Sequence, residues 1–327
     1  MNKRTLGKTS LELSVIGFGA WAIGGDRWRF GWGPQDDRES VDAIIRALDL
    51  GINWIDTAPV YGLGHSEELV GKAVQGRRDK VVIATKCSLV WDASGRISSS
   101  LARESIRREC EASLRRLRTD VIDLYQIHWP NDDARIEEGW AELGRLIDDG
   151  KIRHAGVSNF DVSQMDRAQA LRPIASLQPP YSMLRRQIEA EVLPYCASRR
   201  IGVLAYSPLQ SGLLSGTFDP RRLTPTDWRS RDAEFKEPAL SATLQLVEGL
   251  RALAGDHHRS VAELAIAWVL RRPEITSAIV GARRPDQIAQ TAGAADWTLT
   301  EAEIDTVERL LEARRRQIPD SDTRFRE

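Results

Sequence analysis

The chain has 327 residues, with 46 basic and 47 acidic side chains and a net charge of −1 at pH 7. That length can bury a large core without disulfide or metal staples, and the charge balance excludes a broad footprint for nucleic acid or an anionic membrane. The longest uncharged run, residues 15–25, is too short and too glycine-rich to span a bilayer.

Cys87, Cys110 and Cys196 have no CxxC spacing and read as free thiols in a reducing compartment. With no apolar signal core near Lys3 and Arg4, a cytoplasmic protein is expected. The histidines show no HExxH-like spacing, so no metal is expected.

Residues 3–13 read as a hairpin turning at Gly7-Lys8, and 15–19 as the first core strand. Val41, Ile44, Ile45 and Leu48 have a helical period that stops at Gly51. Residues 53–56 are strand two. Ser66, followed by Glu67 and Glu68, suits the start of a helix that ends near Gly76. Residues 81–84 form strand three, ending at Lys86. Ile106, Cys110, Leu114 and Leu117 mark a long helix before strand four, 121–127.

Ile136, Trp140, Leu143 and Ile147 repeat the helical pattern up to Gly150. Strand five, 155–157, ends at Ser158-Asn159; strand six is 174–178 and strand seven 202–206. An irregular segment, 207–237, precedes helices near 240–254 and 261–271. Strand eight, 277–280, is followed by a helix opened by Pro285 and a last helix over 300–316; residues 318–327 read as a flexible tail.

Strand ends near 19, 56, 86, 128, 158, 178, 206 and 281 recur about every 30 residues, the pitch of repeated βα units. Short apolar strands alternating with helices imply a parallel sheet covered by helices. Eight units without a linker predict one α/β domain over 1–327: a (β/α)8 TIM barrel with an N-terminal hairpin and extra C-terminal helices. A doubly wound open sheet is the alternative. Gly17-Phe18-Gly19-Ala20-Trp21-Ala22 matches the dinucleotide fingerprint G-x-G-x-x-A, but no helix opens there and residue 42 lies inside a helix. The match is rejected on context.

Polar residues collect at the strand ends: Asp56, Lys86, His128, Ser158-Asn159, Gln178 and Tyr206, with Tyr61 five positions after Asp56. Each alone is ordinary; together they mark the rim where barrels carry active sites. A phenol near pKa 10 is a sluggish acid, and an ammonium beside it should favour the phenolate and ease proton release. Asp56 would keep Lys86 charged in a dry site, and His128 could orient a substrate oxygen. The set suits protonation of an oxygen that becomes negative when a carbonyl is attacked. It offers no nucleophile, so hydride from a cofactor is the natural attacker.

Asn53-Trp54-Ile55-Asp56-Thr57-Ala58-Pro59-Val60-Tyr61-Gly62, Thr85-Lys86, and Asp123-Leu124-Tyr125-Gln126-Ile127-His128-Trp129-Pro130 resemble the aldo-keto reductases. So do Gly150-Lys151-Ile152-Arg153, Gly156-Val157-Ser158-Asn159-Phe160 and Tyr206-Ser207-Pro208-Leu209. The resemblance implies a barrel binding NADP(H) without a Rossmann domain. It implies Tyr61 as general acid/base, Lys86 and Asp56 as its tuning pair, and His128 as the carbonyl-orienting group. Ser158, Asn159 and Gln178 match carboxamide binders and Tyr206 a stacking platform. The segment 207–213, with Ser207, Pro208, Leu209, Ser211 and Leu213, matches a pyrophosphate loop. Ala20, Trp21 and Asp56 are further expected cofactor contacts; Gly281, Arg283 and Gln287 sit where the family holds the adenosine 2′-phosphate and adenine.

A guanidinium at the start of the last barrel helix also suits a phosphate on its own chemistry. Thr291, Gly281 and Ala282 depart from many members, which leaves NAD(H) as the alternative cofactor; Arg284 reads as a surface residue. Trp21, Tyr61, His128 and Trp129, with Trp91 and Trp228 as further candidates, are expected to wall the substrate pocket.

The leading expectation is NADPH-dependent, reversible reduction of an aldehyde or ketone. The alternatives are a cofactor-loaded redox sensor acting through a protein partner, and a Schiff-base lyase on Lys86. A lysine paired with Asp56 is a poor neutral-pH nucleophile for the last. No nucleic acid or membrane partner is expected.

Overall fold

A computed structural model describes residues 1–26, 28–224 and 227–318; apart from Ile318, the tail expected at 318–327 lies outside the described residues. β1 (Lys3–Thr5) and β2 (Glu12–Ser14) form an antiparallel hairpin. β3 (Ile16–Gly19) leads to α1 (Asp37–Asp49), and β4 (Trp54–Asp56) to α2 (His65–Ala73). β5 (Val82–Cys87) leads through a hairpin of β6 (Leu89–Trp91) and β7 (Ile97–Ser99) to α3 (Arg103–Leu117).

β8 (Ile122–Ile127) precedes α4 (Ile136–Asp148), and β9 (Ile152–Ser158) precedes α5 (Val162–Gln169). β10 (Ser176–Gln178) precedes α6 (Val192–Arg199). β11 (Gly202–Ala205) is followed by short 3₁₀ turns, α7 (Ala239–Asp256) and α8 (Val261–Leu270). β12 (Ile275–Gly281) is followed by α9 (Pro285–Ala292) and α10 (Glu301–Gln317).

β3, β4, β5, β8, β9, β10, β11 and β12 pair in that order and close where β12 meets β3, with Ala278 opposite Ile16 and Gly281 opposite Gly19. The barrel is therefore closed, and the open-sheet alternative is excluded. β8 and most of β5 are buried along their length, as parallel strands covered on both faces must be. Leu6 and Leu13 of the first hairpin pack with Trp54, Ala84, Leu124, Leu204 and Ile279, which places the hairpin against one end of the barrel core.

Trp54 also explains the rejected fingerprint. Its indole N–H donates to Ser14 O and Ser277 Oγ, both at 3.1 Å, and a Cβ on Gly17 would lie 2.1 Å from its ring. Gly17 makes room for a tryptophan rather than for a phosphate.

Two local readings change. Ser66 does not cap α2, which begins at His65 after Gly64. Its hydroxyl donates to Ala20 O at 2.8 Å and meets Thr57 Oγ1 at 2.9 Å, tying together the loops after β3 and β4. Glu67, expected to serve the helix dipole, is fully buried; it accepts from Thr85 and from Arg116, each at 2.6 Å. The β6–β7 hairpin was not expected, because its three-residue strands are only half covered and leave no apolar alternation.

Candidate active site

β4 delivers Asp56 to the rim, and the chain then turns back through a Tyr61 N–H bond to Ala58 O at 3.1 Å. Gly62, at φ 63, lets the loop after β3 approach so closely that a Cβ there would lie 2.1 Å from Gly24 O. β5 brings Lys86 into the same space. Its ammonium donates to Asp56 Oδ1 at 2.6 Å, to Thr57 O at 2.9 Å and to Tyr61 OH at 3.4 Å. The second Asp56 oxygen accepts from Gln178 Nε2 at 2.8 Å, so β4, β5 and β10 are linked through one buried carboxylate. With its three directions so engaged, Lys86 is not a free amine, which counts against Schiff-base chemistry.

Three rings surround Tyr61. His128 meets it edge-on at 5.7 Å between centroids, Trp28 lies at 5.9 Å and Trp21 stacks at 6.3 Å. Burial, reinforced by the Asp56 charge, raises the Tyr61 phenol well above 10. The expected lowering by Lys86 is therefore reversed in this state: the dry surroundings and the carboxylate outweigh the ammonium. Burial also pushes Lys86 down while Asp56 pulls it up. Burial and the Lys86 charge hold His128 well below 6.5, so its imidazole is neutral at pH 7. A neutral imidazole and a protonated phenol side by side can donate to one oxygen as negative charge grows on it.

The residues expected to hold a carboxamide form a connected ring. Ser158 Oγ donates to Gln178 O at 2.8 Å, and Asn159 Nδ2 donates to His128 O and Ser158 Oγ, both at 3.0 Å. Tyr206 OH donates to Asn159 Oδ1 at 2.9 Å, and burial pushes its own pKa up to about 12. Asn159 sits at φ 62, a left-handed strain concentrated where several strand ends converge. Beyond β11, Ser207 (φ 56), Gln210 (φ 45), Ser211 (φ 52) and Gly212 (φ 97) are left-handed as well. The N–H groups of Gln210 and Gly212 bond back to Ser207 O and Leu209 O at 2.9 and 3.0 Å, so an anion such as a dinucleotide pyrophosphate would have to be met by the other N–H groups of the run. Within the segment Pro208 is buried, Leu209 packs on the main core and Leu213 packs near Phe235 and Leu240. Leu213 is fully buried, so it supports the segment from beneath and does not face a ligand.

At the other end, Gly281 lies opposite Gly19 beside Ala20. Arg283 is not free as expected. Its guanidinium donates to Trp32 O at 3.0 Å, to Gln35 Oε1 at 2.5 Å and to Pro34 O, pinning the loop after β3 to the start of α9. Gln287 Oε1 accepts from the N–H groups of Arg283 and Arg284 at 2.8 and 3.2 Å. Arg284 pairs with Asp286 at the surface.

Trp28, Trp32 and Arg229 were missed. Trp21, Trp32 and Trp228 are mutual neighbours at 5.8–6.3 Å, and the Arg229 guanidinium lies 4.6 Å from the Trp32 ring centre. The indole N–H groups of Trp28, Trp32 and Trp228 are buried without a hydrogen-bond partner among the described residues. The crowding of tryptophan within residues 21–32 was the available signal, but nothing in it fixes which rings face Tyr61. Trp129 is tied through its backbone to Ser88, and Trp91 lies 6.0 Å from the Arg116 guanidinium. Among the described residues, no group of His, Cys, Asp or Glu is placed to hold a metal ion, and no helix is long and apolar enough to cross a membrane.

The sequence pattern of the Aldo/keto reductase family matches residues 15–312. The chain belongs to this family. It is 41% identical to the aldo-keto reductase YhdN of Bacillus subtilis, covering 95% of this chain and 94% of that one. It is 36% identical to the NADH-specific methylglyoxal reductase of Escherichia coli, over 96% and 99% of the two chains.

Among solved structures, the glycerol dehydrogenase AKR11B4 of Gluconobacter oxydans is similar at a TM-score of 0.88 with 40% identity, over 100% and 99% of the chains. A Klebsiella pneumoniae aldo/keto reductase solved with NADP and acetate is similar at a TM-score of 0.75 with 29% identity, over 99% of each. The chain is an oxidoreductase of the aldo-keto reductase family, and a nicotinamide nucleotide is its cofactor. The left-handed segment after β11 and the polar network at Ser158, Asn159 and Gln178 are the candidate residues for holding such a group.

Proposed function

We propose that the protein reduces small oxygen-rich aldehydes or ketones to alcohols, reversibly, with NADP(H) preferred over NAD(H). The observation that carries this reading is the contact of Lys86 with both Asp56 and Tyr61 beside a neutral His128. A nicotinamide, when bound, would supply hydride to the carbonyl carbon. Tyr61 gives its proton to the carbonyl oxygen, and His128 donates a hydrogen bond that orients the same oxygen. Lys86, held charged by Asp56, stabilises the phenolate left behind. Ser158, Asn159 and Gln178 would hold the carboxamide, Tyr206 would support the ring, and the segment Ser207 to Leu213 would follow the pyrophosphate.

The preference for a small, acceptor-rich substrate rests on two supports. Rings crowd Tyr61 closely, and three buried indole N–H groups nearby lack partners among the described residues. The named activities of the Escherichia coli and Gluconobacter oxydans relatives also concern three-carbon oxygenated compounds. The NADP preference rests on Arg283, whose planar fork suits a 2′-phosphate if it exchanges its loop carbonyls for that group.

The test is oxidation of NADPH and NADH, measured separately, with methylglyoxal, glyceraldehyde, dihydroxyacetone, hexanal and acetophenone. Glycerol oxidation is run in reverse. Turnover with the oxygenated carbonyls and NADPH supports the reading. Tight cofactor retention with negligible rates on every carbonyl would replace it with the redox-sensing role.

A further inference from the structure

Ser88, two residues after Lys86, is fully buried at φ 82. A non-glycine residue in that left-handed region persists only where its surroundings hold it. Its N–H donates to Glu109 Oε2 of α3 at 3.0 Å. Its hydroxyl donates to Trp129 O at 3.1 Å and accepts from Trp129 N at 3.2 Å, so both backbone polar atoms of the residue after His128 are engaged. The N–H of His128 donates to Cys87 O at 3.0 Å, and its carbonyl accepts from Asn159. The backbone around the imidazole is thus clamped from β5 on one side and from the end of β9 on the other.

Glu109 is an expensive residue for this place. It is 9% exposed, close to Cys87, Cys110 and Tyr125, and burial raises its carboxyl to about 7, only partly offset by the hydrogen bonds from Ser105 and Ser88 and by the charges of Arg108 and Arg116. An apolar side chain would fill the same space without the desolvation cost. It would not accept the Ser88 N–H. Glu109 Oε1 also accepts from Ser105 Oγ at 3.1 Å, which fixes the carboxylate on its own helix.

We propose that Glu109 and Ser88 are positioning residues for the reduction: the buried acid holds Ser88 in its left-handed conformation, and the Ser88 hydroxyl clamps the Trp129 peptide so that His128 stays against Tyr61. This rests on the reading of His128 as the group that meets the carbonyl oxygen. Neither residue touches the reacting atoms, so their removal acts on carbonyl turnover and leaves cofactor binding alone.

The test uses the full chain as Ser88→Ala, Glu109→Ala and Glu109→Gln. Three quantities are read: kcat and KM for the best carbonyl of the panel, the NADPH Kd by fluorescence titration, and amide hydrogen exchange without cofactor. Ser88→Ala and Glu109→Ala are expected to lower kcat/KM about tenfold, the equivalent of one lost hydrogen bond. Glu109→Gln keeps an acceptor for Ser88 N–H and should recover most of that loss. The NADPH Kd stays unchanged, and exchange quickens at the amides of 88 and 129 but not at 55–57.

Wild-type kcat/KM in Ser88→Ala with unchanged exchange at 129 would overturn the proposal. So would a Glu109→Gln variant as damaged as Glu109→Ala, with NADPH binding weakened in step, because that marks a general packing defect. Should Glu109→Ala fail to fold, Ser88→Ala decides alone, since it leaves the carboxylate bonded to the Ser88 N–H. Undiminished activity in His128→Ala would sink the reading of His128 itself, and the exchange data would still judge the clamp.

Discussion

The Lys86 ammonium lies 2.6 Å from the Asp56 carboxylate, and their side chains are only 0% and 5% exposed. Two charges taken this far out of water cost several kcal/mol each to desolvate, and their attraction repays that only if the geometry and further hydrogen bonds are good. Thr57 O and Gln178 Nε2 supply those bonds. The pair is better understood as a device for keeping a cation beside Tyr61 than as a source of stability.

That distinction can be measured. Asp56→Asn or Lys86→Met alone leaves one uncompensated buried charge and should cost roughly 3–5 kcal/mol of unfolding free energy. The double variant removes both charges and should recover most of that loss, while activity stays abolished in all three. Additive losses in urea denaturation would show that the charges do not act as a pair.

Glu109 should tilt the dependence of stability on pH. Its carboxyl moves from 4.5 in the unfolded chain to about 7 in the folded one. Between those values the folded protein holds a proton that the unfolded chain has released. Its contribution is therefore full below pH 4.5 and is lost as pH rises to 7, a change on the order of 3 kcal/mol. His128 has the opposite sign: its folded pKa is depressed, so stability falls as pH drops below 6.5. Comparing urea unfolding of wild type and Glu109→Gln at pH 5 and pH 8 isolates the first effect. The variant should gain on wild type at the higher pH, and parallel profiles would refute the assignment.

Arg283 separates two roles. If it serves the 2′-phosphate, Arg283→Ala should raise the KM for NADPH by about tenfold or more and leave that for NADH nearly unchanged, because a charge-assisted phosphate contact is lost. If its bonds to Trp32, Pro34 and Gln35 are its whole purpose, both cofactors suffer alike and hydrogen exchange rises across residues 28–36. Steady-state kinetics with each cofactor distinguish the two.

The barrel was legible because its signal is redundant: eight apolar runs recur at βα spacing, six of them ending at or next to a polar residue and two at Gly19 and Gly281, and an error at one strand leaves the others intact. Asp56, Tyr61, Lys86 and His128 could be read for the same reason, since each lies at or just beyond a strand end. What escaped depends on contacts between distant segments. Ser66 looks like a cap until Ala20 O and Thr57 are seen beside it. Arg283 looks available until the loop at 32–35 is found upon it. The direction of the Tyr61 shift required knowing how dry its surroundings are, and an ammonium at known sequence distance does not say that. Glu109 carried no sequence signal, because an acid on an amphipathic helix ordinarily faces water.

The role proposed for Tyr61 is to move the proton while the rest of the site holds cofactor and carbonyl. Single-turnover oxidation of bound NADPH by methylglyoxal, in wild type and in Tyr61→Phe, tests it most directly. The variant is expected to bind NADPH with unchanged affinity and to lose orders of magnitude in the rate of the chemical step, since general acid catalysis contributes about 10²–10⁴-fold. Equal single-turnover rates in the two proteins would contradict it.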